Sequence, residues 1–67
     1  MTVAKVSEIC ASSDKSFDDA MKAGIARACK TLTNVSGAWV KDQNVVIKKN
    51  RIAKYRVNLK VTFILKD

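Results

Sequence analysis

Apolar and polar residues alternate strictly from Tyr55 to Phe63, within residues 51–67, and Leu65 continues the apolar set. Because only a β-strand places alternate residues on opposite faces, this pattern predicts a long strand with one apolar face. Such a face needs a cover, and the segment just before the middle of the chain is the stretch able to supply one. The apolar positions of the strand are Tyr55, Val57, Leu59, Val61, Phe63 and Leu65.

A helix is predicted from Ser16 to Leu32, where apolar residues recur at spacings of three and four. The hydroxyl of Ser16 can cap the first turn, and Asp19 stands three residues later in the capping-box position. Glycine inside a helix costs about 1 kcal/mol relative to alanine, so Gly24 indicates a close approach of the sheet. The apolar stripe consists of Phe17, Ala20, Met21, Gly24, Ile25, Ala28 and Leu32.

Two further strands are predicted, one before the helix in the sequence and one after it. Residues 3–10 mix β-branched and polar side chains and precede turn-like residues 11–15. After a turn at 34–37, residues 38–48 are rich in valine and isoleucine, and residues 49–50 form a polar turn into the last strand. Strict alternation places Trp39, Lys41, Gln43, Val45 and Ile47 on one face of this second strand.

The predicted element order is β-α-β-β, an α+β fold in which one helix lies across a three-stranded antiparallel sheet in a single domain, residues 1–67. One helix cannot cover two strands of this length, so Trp39, Ile47 and Ile64 are expected to meet solvent or another subunit. A chain of 67 residues is near the size at which one core rarely supplies more than about 3–5 kcal/mol. Oligomerisation is therefore the expected source of further stability.

The chain is strongly basic, and its composition gives no sign of catalytic chemistry. The 13 Lys and Arg against 6 Asp and Glu give a net charge of +7, which suits an anionic partner or, alternatively, lysines that protect strand edges from aggregation. There is no histidine, the serines and cysteines lack a neighbouring base, and the two glycines stand apart. No catalytic residue, metal site or phosphate-binding loop is therefore predicted.

The two cysteines, Cys10 and Cys29, are predicted to be buried thiols in a reducing compartment. A disulfide between them is the alternative. The sequence has neither the apolar core of a signal peptide nor a membrane-spanning stretch. A soluble cytoplasmic protein is expected.

Several segments taken together resemble the dodecins, small flavoproteins of bacteria and archaea. They are Ala4-Lys-Val, Ser16-Phe-Asp-Asp-Ala, Ala26-Arg-Ala-Cys-Lys-Thr-Leu and Ala53-Lys-Tyr-Arg-Val-Asn-Leu-Lys-Val-Thr-Phe. The resemblance extends over nearly the whole chain and includes the element order. It implies a sheet wrapped around the helix and a hollow homododecamer of cubic symmetry. It also implies a non-enzymatic function, the sequestration of stacked pairs of flavins (riboflavin, FMN or FAD).

The chain departs from flavin-binding dodecins at both ligand positions. The family's tryptophan, which stacks on the isoalloxazine ring, falls on Gly37, and the chain's only tryptophan, Trp39, follows two residues later. The family's glutamine, which bonds the polar edge of the ring, falls on Arg56. The predicted ligand-binding residues are therefore Gly37, Trp39, Asp42 and Arg56. Two departures in one site favour the loss of tight riboflavin binding, and the planar donors of Arg56 suit a phosphate or carboxylate.

Other interpretations stay open. Trp39 could fill a subunit interface, with Arg56 paired to Asp42 across the hairpin. The dodecamer could be structural or ion-binding without flavin. The chain could instead be a basic nucleic-acid-binding domain, since Lys54, Arg56 and Lys60 share a face. Binding of single-stranded nucleic acid needs aromatic side chains on which the bases stack, however, and only Trp39 is available for that role.

Overall fold

The computed structural model describes residues 2–65, and its four elements follow the predicted order. They are β1 (Val3–Ser13), α1 (Phe17–Thr31), β2 (Val35–Lys48) and β3 (Arg51–Leu65). The sheet is antiparallel with strand order β1-β3-β2, so β3 is central. The predicted α+β fold, β-α-β-β with a three-stranded antiparallel sheet, is confirmed. Lys66 and Asp67, which the prediction included in the last strand, lie outside the described residues.

Two strands are longer than predicted. β1 continues to Ser13, because residues 11–13 pair with residues 55–57 of β3 and do not form a turn. β2 begins at Val35, before the predicted start at 38, and the left-handed step after the helix is made by Asn34 with a φ of 60°. At both places, pairing with the central strand satisfies backbone groups that a turn would leave to solvent. The pairing therefore outweighs the turn preference of the side chains.

The predicted Ser16 cap of α1 is confirmed, but the side chain of Asp19 bonds Ser13 and not the Ser16 amide that a capping box would use. The Oγ of Ser16 accepts a hydrogen bond from the amide of Asp19 at 3.0 Å. The carboxylate of Asp19 in turn accepts one from the Oγ of Ser13 at 2.6 Å. At the other end, the amide of Leu32 donates to the carbonyl of Ala28 at 2.8 Å. The first two bonds join the end of β1 to the first turn of the helix and fix where the helix begins.

The core lies between α1 and one face of the sheet, and it is small. Gly24 is buried there, and a Cβ added to it would stand only 2.9 Å from the Cβ of Ala11 and 3.3 Å from Cδ1 of Leu59. The predicted close approach at this glycine is confirmed. Among residues 2–65, the buried residues are Ala20, Gly24 and Ala28 on α1 and Val57, Leu59 and Val61 on β3.

A β-bulge in β2 corrects the predicted faces of that strand. The register with β3 shifts between Val40 and Asp42, so Lys41 is an extra residue on β2. The extra residue reverses the alternation beyond it. Trp39 and Asp42 therefore lie on the same face, the one that carries no helix and is called the helix-free face below. The prediction that Trp39 and Gln43 share a face was wrong, because strict alternation does not allow for a bulge.

The β2–β3 hairpin gives the protomer an elongated shape of 51 × 19 × 13 Å. Lys49 and Asn50 form its predicted turn, with positive φ at both residues as in type I′ hairpins. Exposure of Trp39 and Ile47 in the single protomer is confirmed at 49% and 56%, whereas Ile64 is half-buried. The helix within residues 2–65 is too short and too polar to cross a membrane.

Candidate ligand-binding face

The four predicted ligand residues all lie on the helix-free face. In β3 the alternate residues Val57, Leu59 and Val61 are buried beneath the helix, so the residues between them point the other way. Residues of β1 and β2 that pair with these intervening residues lie on the same face as they do, so the pairs define the helix-free face. The pairs across β2 and β3 are Gly37 with Thr62, Trp39 with Lys60, Asp42 with Asn58 and Asn44 with Arg56.

The four residues nevertheless do not converge on one point of a single protomer. Thr62, which marks the position of Gly37, is six residues from Arg56 on β3, or about 20 Å along the strand. Lys60, which marks the position of Trp39, is four residues from Arg56, or about 13 Å. One aromatic ring cannot span such distances. A single ring therefore cannot stack at Gly37 and also lie beside the backbone of Arg56 in the same chain.

Trp39 is the aromatic element of the face. The Nζ of Lys60 lies 5.8 Å from the centroid of its ring, a separation at which cation–π attraction operates. Lys60 is held in place because it belongs to the central strand, directly opposite Trp39. With 49% of Trp39 exposed, ring surface remains accessible for stacking.

A charged cluster surrounds this ring. Oε1 of Glu8, on β1, lies 3.5 Å from the Nζ of Lys41 and 3.8 Å from the Nζ of Lys60. One carboxylate thus faces two ammonium groups, and one positive charge is left in excess. Exposed ion pairs of this kind contribute only about 0–1 kcal/mol, so an anionic ligand could displace them at little cost. Glu8 and Lys41 were missed from the sequence, because their meeting depends on the strand order and on the bulge.

One interpretation of the sequence required an ion pair between Asp42 and Arg56. The two residues do not form that pair. Asp42 accepts a hydrogen bond from Nδ2 of Asn58 at 2.5 Å, and the register places Arg56 opposite Asn44 instead. Among residues 2–65, no ion pair joins Arg56 to Asp42. Arg56 is exposed. Its guanidinium is thus presented on the helix-free face, where a ligand or a second protomer can reach it.

Gly37 is a position where a larger side chain would fit. A Cβ added to Gly37 would have no heavy atom within 4 Å, and its φ is not positive. The register shift between Val35 and Gly37 leaves Ser36 as an extra residue. Because this bulge comes before Gly37, it does not change the spacing between Gly37 and Trp39. Gly37 and Trp39 therefore stay two residues apart on one face, about 6.6 Å along the strand.

Comparison with known proteins gives the family. The dodecin family model matches residues 3–66. The chain belongs to the dodecin family. A single-substitution mutant of Thermus thermophilus dodecin is 31% identical over 100% of both chains, with a TM-score of 0.93. The dodecin of Streptomyces davaonensis is 30% identical over 98% of this chain and 97% of that one, also with a TM-score of 0.93.

The dodecin of Streptomyces coelicolor is 26% identical to this chain, over 98% of this chain and 94% of the other, with a TM-score of 0.93. A comparison with curated protein sequences gave no significant match. The predicted resemblance and the dodecin fold are thus confirmed.

The cysteines of this dodecin differ from the prediction. Cys10 and Cys29 are both free and exposed, so the prediction of buried thiols was wrong. Cys10 lies on the helix-free face because it pairs with Asn58, and Cys29 follows the buried Ala28 on the solvent side of the helix.

The predicted ligand residues lie neither in a group of metal-ligating side chains nor in the groove between β1 and α1. Within residues 2–65, no three His, Cys, Asp or Glu side chains are grouped so that they could hold a metal ion. A groove of about 720 Å³ runs between β1 and α1, and none of the four predicted residues lines it. The helix-free face around Trp39 is therefore the candidate site of this dodecin.

Proposed function

We propose that this dodecin chain is the protomer of a non-enzymatic, hollow homododecamer that binds a small anionic aromatic ligand on the helix-free face. Flavin is the first candidate, in the form of a flavin nucleotide. The observation that carries the proposal is the exposed ring of Trp39 beside Lys41 and Lys60, which share the single carboxylate of Glu8. A planar ring with a phosphate group would use both the aromatic surface and the excess positive charge.

The chemistry of the face favours a phosphate-bearing flavin over riboflavin. Riboflavin could use only the stacking surface, and the positions of the family's tryptophan and glutamine are held here by Gly37 and Arg56. FMN adds a phosphate that Lys60, Lys41 or Arg56 could bind as a charged group. We therefore expect weak riboflavin binding and tighter FMN binding.

Two features of the single protomer support assembly. The core contains few fully buried residues, while Trp39, Ile47 and Ile52 are each about half exposed. The predicted ligand residues extend over about 20 Å of the helix-free face, so a compact site would need a second protomer. Both features are what a subunit of a larger closed assembly is expected to have.

The mass of the assembly is the first test. Multi-angle light scattering or sedimentation at micromolar concentration should give about 89 kDa, twelve times the 7.4 kDa of the chain. The physical reason is that exposed apolar surface on each protomer is removed from water by its neighbours. A stable monomer under these conditions would contradict the proposed assembly.

The ligand is tested by titration. Adding FMN should quench the fluorescence of Trp39, which is the only tryptophan of the chain, and riboflavin should do so only at higher concentration. Because charge contributes to binding, salt should weaken FMN binding more than riboflavin binding. Binding followed through flavin fluorescence should be lost in Trp39→Ala, while the mass of the assembly is unchanged.

A charge-matched pair of variants is the control for the titration. Lys60→Gln should reduce the preference for FMN over riboflavin, whereas Lys22→Gln on the exposed side of α1 should leave it unchanged. A protein purified with bound yellow flavin and binding riboflavin as tightly as FMN would contradict the proposed anion preference. Failure of both flavins to bind would instead favour the structural or ion-binding dodecamer.

The alternatives have less support. An ion-binding dodecamer would need ligands from several protomers, since residues 2–65 of one protomer bring no three metal-ligating side chains together. A nucleic-acid-binding function lacks a second aromatic platform beside Trp39 on the helix-free face. A reducing compartment such as the cytoplasm suits the two exposed free thiols and belongs to the same proposal.

A further inference from the structure

Three residues form one row across the helix-free face, and the row ends in a carboxylate. Lys60 of the central strand pairs with Trp39 of β2 on one side and with Glu8 of β1 on the other. Neighbouring strands lie about 4.8 Å apart, so the backbone of Glu8 is about 10 Å from that of Trp39. The Nζ of Lys60 lies between them, 5.8 Å from the ring centroid and 3.8 Å from Oε1 of the carboxylate.

The bulge in β2 brings a second ammonium group to the same oxygen. Lys41, the extra residue of the bulge, donates a hydrogen bond from its Nζ to Oε1 of Glu8 at 3.5 Å. Two ammonium groups that converge on one oxygen are also a suitable partner for a phosphate oxygen. The carboxylate of Glu8 therefore occupies the centre of the positive charge beside the Trp39 ring.

The contacts that hold Glu8 in this position are weak. Its side chain is 55% exposed, and exposed ion pairs of this length contribute little to stability. Among residues 2–65, no other acidic residue forms an ion pair with Lys41 or Lys60. The neighbouring carboxylate of Asp42 accepts its hydrogen bond from Asn58 instead. Glu8 can therefore move aside without cost to the fold, and its departure leaves both ammonium groups free.

We propose that Glu8 is a specificity-determining residue of the helix-free face, because its carboxylate competes with the phosphate of a flavin nucleotide for Lys41 and Lys60. In the empty face the carboxylate neutralises one of the two ammonium groups, and a phosphate must displace it to bind both. Riboflavin has no phosphate and does not meet this competition. Glu8 thus lowers the affinity for FMN and leaves the affinity for riboflavin unchanged. This inference rests on the proposed function and names a residue that sets its ligand preference.

Neutralising Glu8 tests the competition. Glu8→Gln keeps the size of the side chain and should lower the Kd for FMN about fivefold, the effect of one unit charge at about 4 Å in water. The Kd for riboflavin should stay the same. Fluorescence titrations of both flavins at one ionic strength measure the two constants. Glu8→Asp keeps the charge and should bind FMN as the parent does.

Asp14→Asn is the matched control for net charge. Asp14 is exposed between the end of β1 and the start of α1, away from the row that contains Trp39. Its replacement changes the net charge by the same single unit as Glu8→Gln. The Kd for FMN should therefore equal that of the parent.

A double-mutant cycle separates competition from a structural effect of the substitution. In a chain that carries Lys41→Gln and Lys60→Gln, adding Glu8→Gln releases no ammonium group. FMN binding should then be no tighter than before the addition. A variant that acts by disturbing β1 would change FMN binding in both backgrounds.

Iodide quenching of Trp39 fluorescence gives a second measurement that needs no flavin. Iodide is an anion and acrylamide is neutral, so the two quenching constants separate the local charge from the exposure of the ring. Glu8→Gln should raise the constant for iodide and leave the constant for acrylamide unchanged. Asp14→Asn should leave both constants unchanged.

The outcomes separate this inference from the proposed function. If the parent binds FMN and Glu8→Gln does not tighten it, the competition is overturned and the proposed function stands. A gain of equal size for riboflavin, or one that persists without Lys41 and Lys60, would overturn the competition as well. If the parent binds neither flavin, the proposed function is contradicted and the iodide result decides. A raised iodide constant then supports competition between Glu8 and anions beside Trp39, and an unchanged one overturns it.

Discussion

Replacing Leu59 by alanine is expected to lower the free energy of unfolding by about 2–5 kcal/mol. Leu59 is only 1% exposed, and it lies on the central strand with a strand paired on either side. Its Cδ1 points at Gly24, where the helix comes so close that a Cβ would stand 3.3 Å away. Since the helix and both neighbouring strands are fixed by their own contacts, the cavity left by the substitution cannot readily collapse. Chemical denaturation at fixed protomer concentration measures the effect.

The same strand provides the control for this prediction. Leu65 belongs to the same alternating set but is 46% exposed, so Leu65→Ala should cost clearly less. Phe63 is half-buried, and Phe63→Ala should fall between the two. An unchanged denaturation midpoint for Leu59→Ala would mean that the helix covers the other face of β3.

The second large effect is expected at the ligand positions. Gly37→Trp combined with Arg56→Gln should tighten riboflavin binding by about tenfold or more, which corresponds to about 1.4 kcal/mol. The space around Gly37 is open and its backbone is unstrained, so a tryptophan fits within the protomer and offers a stacking surface. Glutamine supplies the paired donor and acceptor that arginine lacks. Quenching of riboflavin fluorescence on titration measures the gain.

Two variants check that the gain comes from stacking and hydrogen bonding. Gly37→Ile adds bulk without an aromatic ring and should leave riboflavin binding unchanged. Gly37→Trp alone should give part of the gain, since the hydrogen-bonding residue is still missing. If the double variant keeps the parent's mass and binds riboflavin no better than the parent, then Gly37 and Arg56 do not occupy the flavin site.

Much of the candidate face could be predicted from the sequence, but its internal arrangement could not. Gly37, Trp39, Asp42 and Arg56 were selected through the dodecin resemblance, and the structure places all four on one face. Their separation along β3 could not be read from the sequence, because it depends on which residues pair across the hairpin. The involvement of Glu8 was missed for the same reason, since β1 reaches the face only through its pairing with β3.

The elements whose signals are local could be predicted from the residues alone. The alternation in β3, the three-and-four spacing in α1, the Ser16 cap and the two-residue hairpin turn each depend on neighbours within a few residues. The burial of Gly24 could also be inferred, because a helix interior rarely accepts glycine without a packing reason. These features carry the β-α-β-β fold.

The tertiary structure sets the bulge at Lys41, which places Trp39 and Asp42 on one face. It also sets the extension of β1 and β2 into segments whose side chains are typical of turns. It likewise decided that Cys10 and Cys29 are exposed. The strand features, including the facing of Cys10, share one physical reason. Register, strand ends and the facing of side chains are set by backbone pairing with a strand distant in sequence, and the free energy of that pairing outweighs the local turn and alternation preferences.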